Sequence, residues 1–155
     1  MHIRVRWDSF HGESELTRDM VGIKRLIEKT TFDESELGGG KFRSNLIQLL
    51  KSDIKNKNFS LYGEDTALIV QVSHPGGAYS KLLDILLAYN QGEIKRCIFV
   101  TQTYNLAVKR NRIKNPDSTR DGNRIYFEAA VKTIESYANS FLDIPIGVLG
   151  IDIRD

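Results

Sequence analysis

Phe59-Ser60-Leu61-Tyr62-Gly63-Glu64-Asp65-Thr66-Ala67-Leu68-Ile69-Val70-Gln71-Val72 is the stretch that decides the fold. Two apolar runs flank a Gly-Glu-Asp turn, the signature of a β-hairpin. The second run is almost continuously apolar, as in a central strand covered on both faces. His74-Pro75-Gly76-Gly77 ends it. Residues 78–90 then place Tyr79, Leu82, Leu83, Ile85, Leu86 and Leu87 at helical spacing, and Arg96 to Thr101 reads as a second buried strand. Strand, helix and parallel strand make a βαβ unit, expected to be right-handed. A helix over Arg124 to Phe141 and a third buried strand over Ile144 to Ile151 extend it.

Upstream, Ile3, Val5 and Trp7 alternate with His2, Arg4 and Arg6, which predicts a short strand with those three residues on its buried side. Asp8 to Glu13 reads as a loop. Leu16, Met20, Ile23, Leu26 and Ile27 predict an amphipathic helix over 14–29. Thr30 to Gly40 is a break. From Lys41 a second helix is expected, with Phe42, Leu46, Ile47, Leu49, Leu50 and Ile54 inward and a basic end at 51–57. The polar, basic segment 104–122 contains Pro116 and is expected to be a loop with room for a short helix. The sum is an α/β domain with a mixed sheet, an antiparallel hairpin followed by parallel strands, in one domain over 1–155.

The chain has 155 residues, 41% hydrophobic and 27% charged, which suits one soluble domain. Its net charge of +2 excludes a polycation and an acidic tail. Cys97 is the single cysteine and lies in an apolar run, so neither a disulfide framework nor a cysteine zinc site is expected, in keeping with a cytoplasmic protein. Neither a signal peptide nor a membrane span is legible, and His2, His11 and His74 lack metal-ligand spacing. The positive charge is concentrated. Between Asn105 and Arg124, six cations (Lys109, Arg110, Arg112, Lys114, Arg120, Arg124) face two acids, a local +4 that leaves −2 on the rest. Asn and Gln side chains are mixed in. That pairing suits phosphate neutralisation and base reading, although a solvated basic loop has the same composition.

Asp65 to His74, Arg96 to Thr101, and Phe141-Leu142-Asp143-Ile144-Pro145-Ile146-Gly147-Val148-Leu149-Gly150 together resemble the BglII/BstYI family of restriction endonucleases, within the PD-(D/E)XK nuclease superfamily. The likeness spans roughly residues 59–155 and is fainter over Gly38 to Asn58. It implies a restriction-endonuclease-like fold, a mixed central sheet flanked by helices. For an active member it also implies Mg²⁺-dependent hydrolysis of a DNA phosphodiester. Implied partners are duplex DNA, a second copy of the chain in a two-fold dimer, or a larger prokaryotic defence complex. No membrane is implied.

Gln71 matches the polar residue that ends the family's catalytic motif. The family's Glu falls on Ile69, and its Asp falls near Ser60 or Leu61. Glu64 and Asp65 could substitute through a shifted register, with Glu36, Asp33 or Glu34 as a further acid. Solvated turns and helix-end charges are the plain alternatives. Gly38-Gly39-Gly40 reads as a hinge, or as a phosphate cradle with Arg43 and Asn45 nearby. The leading expectation is a nucleic-acid-binding protein of nuclease fold whose cleavage is lost or non-standard. Gln71, Ser73 and His74 would line the remnant site, and Lys109, Arg110, Arg112, Lys114, Arg120 and Arg124 would grip the duplex. Two rivals stand beside it: an active Mg²⁺ endonuclease using Glu64, Asp65 and Glu36, and an interaction subunit.

Overall fold

A computed structural model describes residues 2–50, 53–54 and 59–154. The chain runs β1 (His2–Phe10), α1 (Ser14–Glu28), a single 3-10 turn (Glu34–Glu36), α2 (Gly39–Leu50), β2 (Asp53–Ile54), β3 (Ser60–Tyr62) and β4 (Thr66–Val70). It continues with α3 (Gly76–Asn90), β5 (Arg96–Gln102), α4 (Tyr104–Lys114), α5 (Phe127–Ala138) and β6 (Ile146–Arg154). One six-stranded sheet has the order β1-β6-β5-β4-β3-β2. The strands β4, β5 and β6 are parallel, and β1, β3 and β2 are antiparallel to their neighbours. This is the expected mixed sheet.

The middles of the central strands, Ala67 to Val70 and Cys97 to Val100, are apolar at successive positions because both faces are covered. Leu68, Val70, Ile98, Val100, Leu149 and Ile151 join one cluster with Leu16, Met20, Ile23 and Ile27 of α1 and Phe42 and Leu46 of α2. The alternate residues Ala67, Ile69, Cys97, Phe99, Ile146 and Val148 join the other, with Leu82 and Ile85 of α3 and Phe127, Ala130 and Ile134 of α5. Strand residues alternate sides, so one register assigns every side chain to one of two cores.

Four boundaries differ from the sequence expectation. β1 continues through Asp8, Ser9 and Phe10, because they pair with Val148, Gly147 and Ile146. Trp7 is 48% exposed: β1 is an edge strand, and its buried contacts are at Ile3 and Val5, where Glu28 accepts the Val5 amide. The second helix ends at Leu50, and Ile54 lies in β2 instead; the basic run 51–57 falls mostly outside the described residues. The basic segment opens with an eleven-residue helix, α4, capped where the Thr103 hydroxyl accepts the Leu106 amide. Arg124 precedes α5 rather than starting it. Among the described residues, no helix is long and apolar enough to cross a membrane.

Gly147 and Gly150 in β6 are packing requirements. A Cβ on Gly147 would run into the Met20 thioether, and one on Gly150 would come within 2.5 Å of the Phe127 Cβ. Gly150→Ala and Gly147→Ala should each lower the unfolding free energy in urea by about 1–3 kcal/mol, the usual cost of overpacking. Gly77→Ala, with nothing within 4 Å, should leave it nearly unchanged or raise it slightly. Cys97 is fully buried, and burial pushes its thiol up to about 12. A thiol reagent at pH 8 should therefore leave the native protein unlabelled and label it once urea unfolds it.

Candidate nucleic-acid interface

β4 and β5 end at the same edge of the sheet, and the segments that follow them build the site. The Gln71 amide continues the parallel ladder by donating to the Val100 carbonyl (2.9 Å). Its nearly buried side chain donates to the Ser73 hydroxyl (3.1 Å) and the His74 carbonyl (3.3 Å), so it orders the Pro-Gly loop. His74 and Pro75 lead directly into α3.

Arg110 is the hub of this edge. It is 3% exposed and packs its guanidinium on the Phe42 ring at 4.8 Å. Nε donates to the Leu37 carbonyl (2.6 Å), and Nη1 to the Val72 carbonyl and the Gln102 side-chain oxygen (2.8 Å each). Nη2 donates to the Gly39 carbonyl (3.1 Å). Gln102 in turn donates to Val72 and Ile125 carbonyls. Burial, with the positive Arg124 adding to it, lowers the Arg110 guanidinium to about 10, so it stays charged at neutral pH. The expectation that Arg110 grips a phosphate is corrected here: its donors already serve the end of β4, the Gly38–Gly40 turn and β5.

The rest of the basic segment folds back on α4. Asn111 donates to the Ser118 hydroxyl and the Arg120 carbonyl, and Arg112 Nε donates to the Ser118 carbonyl. Gly122 and Asn123 turn the chain through positive φ. The Ile125 amide then donates to the Ser73 carbonyl (2.6 Å), and the His74 ring lies 3.2 Å from the Asn123 carbonyl. A small cavity of about 140 Å³ remains between Gly39, Ser73, His74, Arg110, Gly122 and Arg124. The structure thus brings together Gln71, Ser73, His74, Arg110 and Arg124. Lys109, Arg112 and Lys114 lie on α4 and Arg120 on the turn beyond it.

Two cations here were missed as a pair. Arg43 in the second turn of α2 donates Nε to the Val70 carbonyl (2.9 Å). Lys81 on α3 is lowered by burial and then by Arg43. Their one sequence signal was basic residues one turn into helices that start at glycines. Among the described residues, Arg43, Lys81, Arg112, Arg120 and Arg124 form no ion pair. Three helices begin at this edge, α2, α3 and α4, and their N-termini add positive potential.

The acidic candidates do not come together with Gln71. Glu64 and Asp65 sit in the turn before β4, at the opposite end of the strand, about 20 Å from Gln71 at the usual rise of ~3.3 Å per residue. Asp65 instead faces Lys95 (3.8 Å). Glu36 accepts the Asp33 amide (2.7 Å) and caps the 3-10 turn. Gly39 and Gly40 are part of α2, and the Gly39 carbonyl is held by Arg110 rather than left as a free hinge. Ile69, on the Glu position, is 2% exposed among Phe59, Leu82, Ile85 and Phe99. Leu61 also packs on that apolar cluster, and Ser60 pairs with Leu68. Among the described residues, no three His, Cys, Asp or Glu side chains are grouped to hold a metal. These donors do not fit Mg²⁺, which needs oxygen ligands and carboxylate charge.

Neither a protein-family model nor a curated protein matches the sequence. Among solved structures, the chain is similar to the restriction endonuclease BglII complexed with a DNA 16-mer, with a TM-score of 0.65 and 13% identity over 95% of this chain and 75% of that one. The fold is therefore restriction-endonuclease-like, α/β with a mixed sheet and flanking helices.

Replacing Arg110 tests the hub. Arg110→Lys keeps the charge but cannot reach four acceptors in one plane. It should cost about 2–4 kcal/mol in urea unfolding, because buried carbonyls lose their donors. Arg120→Gln, fully at the surface, should cost less than about 0.5 kcal/mol.

Proposed function

We propose that the chain binds duplex DNA at the edge where β4 and β5 end, and that the region around Gln71 serves binding rather than metal-dependent cleavage. The observation that carries this reading is the set of cations at that edge that form no ion pair among the described residues, in a restriction-endonuclease-like fold with a buried Ile69 where the resemblance implies a glutamate. Arg43 and Lys81 flank the start of α3. Lys114, Arg120 and Arg124 follow along α4 and the turn beyond it. Helix N-termini and unpaired cations favour phosphates, and counter-ion release makes such binding sequence-tolerant and salt-dependent. Ser73 and His74 line the small cavity beside Arg124.

Fluorescence anisotropy with a 16-base-pair duplex tests this. Affinity should fall linearly on a log–log plot against salt, with a slope near −0.9 per phosphate contacted. Lys114→Gln and Arg120→Gln should each make the slope shallower by about 1. The duplex should stay intact with Mg²⁺ or Mn²⁺ on a gel. Metal-dependent cutting that disappears in Glu64→Ala or Asp65→Ala would overturn the non-cleaving reading and favour an endonuclease. Absence of binding at any salt would leave an interaction subunit, in a homodimer or a defence complex, as the better reading.

A further inference from the structure

The outward side of α4 carries a groove separate from the Arg110 cavity. Its volume is about 650 Å³, within the usual range for small-ligand sites. Tyr104, Asn105, Lys109, Arg112 and Ile113 of α4 line it, and Glu34 is its one acid among the described residues. At 100° per residue these five fall on one arc of the helix, while Leu106, Ala107, Arg110 and Asn111 take the buried arc. The basic segment therefore has two chemistries, an inward hub and an outward groove.

The groove combines three recognition elements. Tyr104 is 41% exposed, yet its ring is held edge-on by Tyr126 at 5.0 Å and 72°, and its amide donates to Glu128 (3.0 Å). An aromatic face held this way is a stacking platform. Ile113, 40% exposed, adds apolar surface. Arg112 is anchored through Nε on the Ser118 carbonyl, which leaves its two terminal nitrogens for another group. The exposed Asn105 amide can pair with a base edge. A stacking ring, a guanidinium and an amide within one groove match a base with its phosphate; a paired base inside a duplex cannot present its face.

We propose that this groove holds one unpaired nucleotide of the DNA partner, with its base on Tyr104 and its phosphate on Arg112; this rests on the DNA-binding reading above. The groove would then give the protein a preference for DNA with an extruded or unpaired base.

Anisotropy with a blunt 16-base-pair duplex and the same duplex carrying a one-nucleotide bulge tests the inference. The bulged duplex should bind roughly 5- to 100-fold tighter, the range of base–aromatic stacking. Tyr104→Ala should abolish that preference and leave blunt-duplex affinity unchanged. Tyr104→Phe, which keeps the ring, should retain the preference. A 2-aminopurine at the bulge should change fluorescence on binding to the parent protein and to Tyr104→Phe, but not to Tyr104→Ala. Equal affinity for both duplexes, or a preference that survives Tyr104→Ala, overturns the inference and leaves the duplex-binding reading standing. If neither duplex binds, the duplex-binding reading fails, and this inference fails with it.

Discussion

The Arg110 guanidinium holds four acceptors from three parts of the chain: the carbonyls of Leu37 just before α2 and Gly39 at its start, Val72 after β4, and the Gln102 side chain at the end of β5. Leu37 and Val72 lie outside the helices and strands, so their buried carbonyls need donors from elsewhere. A buried cation can stay charged because its donors are used in a plane, over an aromatic ring. Once those ends are tied together, α2, α3 and α4 must converge on one edge of the sheet. The cavity beside Ser73 and His74 follows from that convergence.

The two edges of the parallel strands have opposite electrostatic characters. Where β4 and β5 begin, charges are matched. Arg96 is buried against Glu13 and Thr66, Thr66 donates to Asp19, and Lys95 faces Asp65. Where they end, Lys81 lies near Arg43, and Arg124 lies near the buried Arg110, with none of them in an ion pair among the described residues. Like charges held close cost stability unless a counter-charge arrives. A polyanion would supply it, which is why the binding reading is placed at this edge. The cleavage reading weakens for a related reason. Ile69 and Leu61, on or near the positions where the resemblance implies acids, lie against an apolar cluster that includes Phe59 and Phe99, where a carboxylate would be costly to bury.

Much of the core was legible along the chain. The runs Thr66 to Val72, Arg96 to Thr101 and Ile144 to Ile151 announce strands covered on both faces, because only such strands can be apolar at every position. Leu16, Met20, Ile23 and Ile27 mark one helical stripe unambiguously. The basic segment was harder. α4 alternates polar and apolar residues with little periodicity, since its buried face contains Arg110 and Asn111 rather than aliphatic residues. Burial of a cation has no signature in composition. Trp7 was misread for the converse reason: alternation says which side a residue faces but not whether anything covers that side.

The sequence alone determined the layered α/β plan and the net +4 of residues 105–124, because strand alternation and charge counts are local properties. It also put Ile69 on the position where the resemblance implies a glutamate. Tertiary structure decided which of those cations are buried in hydrogen bonds and which stay at the surface. Arg110 was drawn inward by carbonyls up to 73 residues away in sequence, and Arg43 and Lys81 were brought beside Arg124's edge from other helices. Only folding sets which unsatisfied acceptors lie within reach of a guanidinium, and so only folding could separate the Arg110 hub from the cations left at the surface.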